Sequence, residues 1–171
     1  MKQNWIKEVL DSHEGPLLRY AYRLCSDLEL ARDAVQDTFL KLCREDRSKI
    51  ESYLVKWLFT VCRNRVFEIL RKENRMTGMT ELELVQKPVG TESPADVAEK
   101  AEDRSTLKAL MQELPEREQE VLRLKFQNGL SYKEISEITS LSVSNVGFIL
   151  HKTIKELRGK FSRKVHTGGA A

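Results

Sequence analysis

The chain has 171 residues, 40% apolar and 32% charged, with only eight Gly and four Pro, enough for one ordinary domain or two small ones and suited to a mainly helical, soluble protein. Its 29 basic residues against 26 acidic ones leave a net charge of +3, so the total alone does not announce a nucleic-acid partner and the distribution decides. No run approaches the ~18 apolar residues of a membrane span, and the N-terminal MKQNWIKEVLDSHEG is charged throughout, which argues against membrane insertion and a signal peptide and for a cytoplasmic location.

The first zone, residues 1–77, carries apolar residues at helical spacing. Val9, Leu17, Leu18, Tyr22 and Cys25 mark one or two early helices, with Gly15-Pro16 as a break or first turn. Ser26 with Glu29 predicts a capping box at the head of SDLELARDAVQDTFLKL. Leu30, Ala34, Phe39 and Leu42 form its apolar stripe, and Asp33, Gln36 and Asp37 share another face. REDRSKIES (44–52) is too polar for a core and reads as a loop. Residues 53–75 predict a long helix with Leu54, Leu58, Val61, Cys62, Val66 and Ile69 inward, and Arg63, Asn64, Arg65, Arg71 and Lys72 toward solvent or a partner. Cys25, Cys43 and Cys62 are odd in number and far apart; reduced, mostly buried thiols are expected, a redox or metal role being the lesser alternative.

Residues 78–103 read as a linker. They hold Pro88, Gly90 and Pro94 close together, and from 76 to 106 seven acids face three bases. The positive charge lies on either side. Residues 56–75 have six bases against two acids, and residues 143–164 six against one. Two basic lobes joined by an acidic tether are what the small overall charge conceals.

The last zone, residues 104–165, begins with Leu107, Leu110, Met111 and Leu114 at helical spacing. Pro115 stops that helix and opens the next, with Glu116 and Glu118 in its first turn, and Gly129 ends it. Ser131 with Glu134 predicts a second capping box and a short helix to about residue 139. Ser140-Leu141-Ser142 makes a turn, and a longer helix follows from Val143 or Ser144 to about Phe161. Residues 166–171 are expected to be a disordered tail.

Short helix, tight turn, longer helix is the helix-turn-helix arrangement. Ile135, Ile138, Leu141, Val143, Val146, Leu150, Ile154 and Leu157 are expected to fix the crossing. Ser142, Ser144 and Asn145 stand at the N-terminal end of the second helix, where hydroxyls and backbone N–H groups suit phosphates and Asn suits adenine. His151, Lys152 and Lys155 follow on its exposed side. The plain reading is a helical hairpin with polar ends.

With both halves in view, the chain resembles small bacterial alternative sigma factors of the extracytoplasmic-function type, over about residues 17–161. The resemblance rests on three ordered stretches: ELARDAVQDTFLKL; YLVKWLFTVCRNRVFEILRKENR with Trp57, Arg63, Asn64, Arg65, Arg71 and Arg75; and ELPEREQEVLRLKFQNGLSYKEISEI. It implies an all-α chain of two small helical domains joined by an acidic linker, the C-terminal one a helix-turn-helix. It implies that Asp33, Gln36 and Asp37 dock on core RNA polymerase. Arg47, Ser48 and Lys49 would lie where the family captures a flipped-out base of the minus-ten element, with Arg63, Asn64, Arg65, Arg71 and Lys72 along the melted strand. Trp57 suits DNA stacking or the core. Ser142, Ser144, Asn145, Phe148, His151, Lys152 and Lys155 would meet the minus-thirty-five element, the linker would thread near the polymerase active site, and an anti-sigma factor is a further expected partner.

The recognition stretch SVSNVGFILHK departs from relatives that carry Pro-x-Gly-Thr-Val and then basic residues; Gly147 and Ile149 stand where Lys or Arg is frequent, and Glu68 where Asp is usual. The upstream element therefore does not follow from the resemblance. A stand-alone helix-turn-helix regulator is the alternative; it leaves the Asp33, Gln36 and Asp37 face without a role. A purely protein-binding helical adaptor would show no salt-sensitive DNA affinity. No nucleophile–base signature, phosphate-binding Gly loop or metal-ligand spacing occurs, so neither an enzyme nor a cofactor, metal or small-molecule substrate is expected.

Overall fold

A computed structural model describes residues 2–77 and 98–168. Every element assigned there is helical, and the chain divides into two compact units, residues 1–90 and 91–171. Of the predicted linker, residues 78–103, the part from 78 to 97 lies outside the described residues. Among those described, no helix is long and apolar enough to cross a membrane.

The first unit packs three long helices against one another: α1 (Lys2–Cys25), α2 (Leu28–Arg44) and, after the short α3 (Arg47–Ile50) and a 3-10 turn (Glu51–Tyr53), α4 (Leu54–Thr77). Trp5, Val9, Leu17, Tyr20 and Ala21 of α1 meet Leu30, Ala34, Val35, Phe39 and Leu42 of α2 and Leu58, Phe59, Cys62, Val66 and Leu70 of α4, all buried. Phe59 and Leu70 complete this core, whereas Leu54, Val61 and Ile69, expected inside, are only half-buried. The Tyr20 and Phe59 rings meet edge to face with centroids 5.0 Å apart.

Three local expectations are corrected here. Gly15-Pro16 does not break α1, which runs through Pro16. Proline removes a helical hydrogen bond, but Trp5 and Val9 before it and Leu17, Tyr20 and Ala21 after it are all buried, and that packing outweighs the local penalty. Ser26 does not cap α2. It closes α1 in the left-handed region at φ 55°, its N–H donating to the Tyr22 carbonyl at 2.7 Å. The extended cap position falls at Asp27, whose carboxylate accepts from the Leu30 N–H at 3.0 Å. Residues 44–52 are not a loop. Asp46 caps α3 by accepting from the Ser48 N–H and hydroxyl at 3.1 and 2.9 Å, and Ile50, 2% exposed, anchors it.

The second unit contains α5 (Ala98–Gln112), α6 (Glu116–Phe126), α7 (Tyr132–Thr139) and α8 (Val143–Gly168). α5 begins six residues inside the expected linker, and α8 continues through residues 166–168, expected to be tail. Helices 5, 6 and 7 all pack on α8. Gly129, at φ 64°, makes the left-handed step after α6 that a side chain would oppose, and lets the Leu130 N–H donate to the Leu124 carbonyl at 3.2 Å. The second capping box forms as expected: the Ser131 hydroxyl accepts from the Glu134 N–H at 3.2 Å, and the Glu134 carboxylate accepts from the Ser131 N–H at 2.8 Å.

The thiols divide by burial. Cys62 is buried, Cys25 half-buried and Cys43 exposed, so the expectation of mostly buried thiols fails at Cys43. Desolvation pushes the Cys62 thiol up to about 12 and also raises Cys25. Because the thiolate is the reactive form, a disulfide-exchange reagent at neutral pH is expected to modify Cys43 first and Cys25 more slowly. Cys62 should react only as the unit unfolds. Mass spectrometry of timed samples checks the order.

Candidate nucleic-acid and protein interfaces

In the second unit, α7 and α8 are joined by Ser140, Leu141 and Ser142. Ser140 adopts φ 60°, Leu141 turns inward at 9% exposure, and the Ser136 hydroxyl donates to the Leu141 carbonyl at 2.6 Å. The Ser142 hydroxyl then caps α8 by accepting from the Asn145 N–H at 3.1 Å. Ile135, Ile138, Val146, Ile149, Leu150, Thr153 and Leu157 are buried and fix the crossing. Ile154 is only half-buried, and Val143, expected among these contacts, is 47% exposed.

The outward face of α8 carries the predicted residues Ser142, Ser144, Asn145, Phe148, His151, Lys152 and Lys155, all exposed, with Val143 beside them. Ile149, by contrast, is buried and cannot occupy a groove-facing position. Much of the basic charge of α8 is already paired. Lys152 Nζ lies 3.0 Å from the Glu118 carboxylate of α6, and Lys160 lies 3.2 Å from Glu113, in the turn after α5, and 3.0 Å from Glu156. Lys155 and Arg158 have no ion-pair partner among the described residues; with His151 and Ile154 they line one shallow cleft.

Gly147 sits in this helix without a steric demand for glycine. A Cβ there would meet the Tyr132 ring at 3.5 and 3.7 Å, ordinary contact distances. Gly147→Ala is therefore expected to stabilise the unit by about 0.5–1 kcal/mol through helix propensity, seen as a raised urea midpoint.

In the first unit, α2 turns Asp33 and Gln36 to solvent, followed by Leu40, which is 52% exposed, and the exposed Cys43. Leu40 was missed because it sits beside the core residue Phe39 in an apolar run; its i+4 spacing from Gln36 was the available signal. Asp37 is part-buried and differs from its two neighbours. Its Oδ2 accepts from Arg65 Nε of α4 at 2.5 Å. Arg65 also pairs with Glu68 at 3.1 Å, and Glu68 with Lys72 at 3.3 Å. The bond from Asp37 is the leading reason the Arg65 guanidinium holds its proton more firmly, and the bond from Arg65 is the leading reason Glu68 is lowered.

The segment read as a loop places Arg47, Ser48 and Lys49 on the exposed side of α3. Arg47 is bonded to Glu51 and lies 5.6 Å from the Trp5 ring centroid. Along the adjoining turn and α4, cations stand over aromatic rings: Lys56 over Tyr53 at 4.8 Å and Arg63 over Phe67 at 4.6 Å. Tyr53 is 38% exposed, Asn64 and Arg71 are exposed, and Trp57 is half-buried. Tyr53 and Phe67 are the residues sequence reasoning missed; Arg63 and Phe67 at i,i+4 was the legible sign. Basic groups interleaved with aromatic rings suit a single strand whose bases are unstacked. Among the described residues no His, Cys, Asp and Glu cluster is able to hold a metal ion.

Comparisons with known proteins point the same way for both units. The family described as Sigma-70 region 2 matches residues 9–76, and that described as Sigma-70, region 4 matches residues 104–157. The chain is similar to the ECF RNA polymerase sigma factor SigM of Bacillus subtilis (strain 168), 29% identical over 164 residues, which span 94% of this chain and 98% of that one. It is similar to the RNA polymerase sigma factor YlaC of the same organism, 27% identical over 161 residues and 92% of each chain. The ECF RNA polymerase sigma factor SigL of Mycobacterium tuberculosis (strain ATCC 25618 / H37Rv) is 26% identical over 157 residues, 90% of this chain and 86% of its own.

Proposed function

The chain belongs to the sigma-70 family, in its extracytoplasmic-function group, and directs RNA polymerase to promoters; we propose that its two helical units divide that work as follows. Residues 1–77 bind core polymerase and open the minus-ten element, residues 78–103 bridge, and residues 104–165 hold the minus-thirty-five element as duplex. The observation that carries this division is the placement of exposed basic and polar residues on both α4 and α8, one beside aromatic rings and one at the mouth of a helix-turn-helix.

Duplex binding comes first. The exposed face of α8 enters the major groove, with Ser142 and Ser144 near phosphates and Lys155 on the backbone beyond. Docking of Asp33, Gln36 and Asp37 on the polymerase fixes the first unit over the downstream element. Separating bases there costs on the order of 1–2 kcal/mol per step in lost stacking. Stacking on aromatic side chains returns ~1–3 kcal/mol per base, and Arg63, Asn64, Arg71 and Lys72 accompany the freed strand. Arg47, Ser48 and Lys49 border the position of an extruded base. No covalent step is required, and the protein departs after initiation.

Free protein exposes Leu28, Leu40, Phe126 and Phe148, which supports an anti-sigma partner that covers part of this surface before polymerase does. Affinity capture from cells recovering polymerase alone would count against that partner.

Run-off transcription with core polymerase and a promoter library tests the main reading. New transcripts sharing two elements at fixed spacing are expected only when the protein is present. Salt-sensitive duplex binding without new transcripts would instead favour a stand-alone regulator.

A further inference from the structure

Which base pairs the upstream helix reads follows from the chemistry of its first two turns. From Val143 to Leu150 the chain carries no Arg or Lys. The bidentate fork that recognises guanine O6 and N7 is therefore missing where a recognition helix meets base edges. The first cation close to these turns, Lys152, is held by Glu118 at 3.0 Å.

Of the exposed side chains on the outward face of these turns, Ser144 is able to pair with any base, and two others carry sequence information. The Asn145 backbone N–H is used by the Ser142 cap, whereas its side-chain amide makes no hydrogen bond among the described residues. That amide offers a donor and an acceptor together, the pattern that matches adenine N7 and N6. Phe148 lies three residues further along the same face at 66% exposure. Its side chain has no polar atom, whereas Val143, 47% exposed at the first position of α8, points well away from this face at about 100° per residue. In the major groove the one apolar feature of a base edge is the thymine methyl. Gly147, adjacent to Phe148, adds no side chain to the floor of the contact, its own space lying against the Tyr132 ring.

We propose that the first two turns of α8 read A·T base pairs, with Asn145 on adenine and Phe148 on a thymine methyl. The proposal rests on the reading of α8 as the helix that enters the upstream duplex and goes beyond it by assigning the bases.

The test uses holoenzyme assembled from the full chain and core polymerase, on a promoter recovered by run-off selection. Each upstream thymine is replaced in turn by deoxyuridine, which removes the methyl and keeps the pairing. Wild-type holoenzyme is expected to lose about fourfold in promoter affinity at one such position, the equivalent of one buried methyl. Phe148→Ala holoenzyme should bind thymine and deoxyuridine there alike. Asn145→Ala is expected to relax discrimination at one adenine by about 5–100-fold. Both side chains are exposed, so neither change threatens folding.

Selected promoters with G·C pairs at every upstream position contacted would overturn the proposal. So would a methyl effect that persists in Phe148→Ala. In either case promoter-directed transcription continues and the sigma reading stands. Absence of transcription from any promoter would remove that reading and this proposal together.

Discussion

Phe59→Ala is expected to destabilise the N-terminal unit by roughly 3–5 kcal/mol, the range for deleting a fully buried aromatic side chain. Phe59 is 0% exposed and meets Tyr20 edge to face at 5.0 Å, so the change removes both apolar burial and a ring pair worth about 0.5–1.5 kcal/mol. Leu17, Leu42 and Leu58 are also fully buried in this core and sit on three different helices, which limits how far the cavity can collapse. Small domains have only about 5–15 kcal/mol of total stability, so a large fraction is lost, and promoter opening at 37 °C should fail with it. Phe148→Ala is the internal contrast: at 66% exposure it should shift stability by no more than ~0.5 kcal/mol. Urea denaturation followed by circular dichroism separates the two. Equal midpoint shifts would mean that the assignment of core and surface aromatics is wrong.

The difference between those two phenylalanines was only partly legible in the sequence. Local signals were read well where a single turn decides them. The Ser131–Glu134 capping box, the Gly129 step and the Pro115 boundary all form where the residue chemistry places them. The long helix α4 was visible from its period. Errors arose where two local rules compete. At residues 26–29 both Ser26 and Asp27 are good caps, and the left-handed close of α1 hands the position to Asp27. At 44–52 one buried isoleucine, Ile50, holds a helix that its polar neighbours conceal. Pro16 is carried by tertiary burial that no window of a few residues contains.

Charge was the least legible layer. The sequence places bases on α4 and α8, but their partners are distant: Asp37 and Arg65 are 28 positions apart, Glu118 and Lys152 34, and Glu113 and Lys160 47. Counting bases therefore overstates the cationic surface of both lobes. Lys155 and Arg158, unpaired among the described residues, remain the stronger candidates for phosphate contact on α8. Only folding reveals which charges are neutralised by other helices.

Asp37→Ala is expected to weaken core-polymerase binding by about tenfold, and a cycle with Arg65→Ala shows why. One Asp37 oxygen, Oδ2, accepts from Arg65, while Oδ1 takes no hydrogen bond among the described residues. The side chain is 36% exposed and that of Arg65 26%. An arginine from α4 thus holds one oxygen of an acid on α2 and leaves the second without an intramolecular hydrogen bond among the described residues, open to the proposed polymerase contact. For stability, the two single changes should be non-additive, coupled by about 1 kcal/mol, as expected for a partly exposed charge-assisted pair. For polymerase affinity, the proposed docking role predicts that Asp37→Ala remains costly in the Arg65→Ala background, because the second oxygen is lost in both. If its effect vanishes there, Asp37 acts only by holding Arg65. Arg65 also lies on α4, the helix proposed to follow the melted strand. With its guanidinium engaged by Asp37 and Glu68, Arg65→Met should leave the salt slope of single-strand binding unchanged, whereas loss of a true phosphate contact lowers that slope by about 0.7. A lowered slope would mean that polymerase docking releases Arg65 from Asp37, and that assembly of the holoenzyme itself adds a cation to the melting groove.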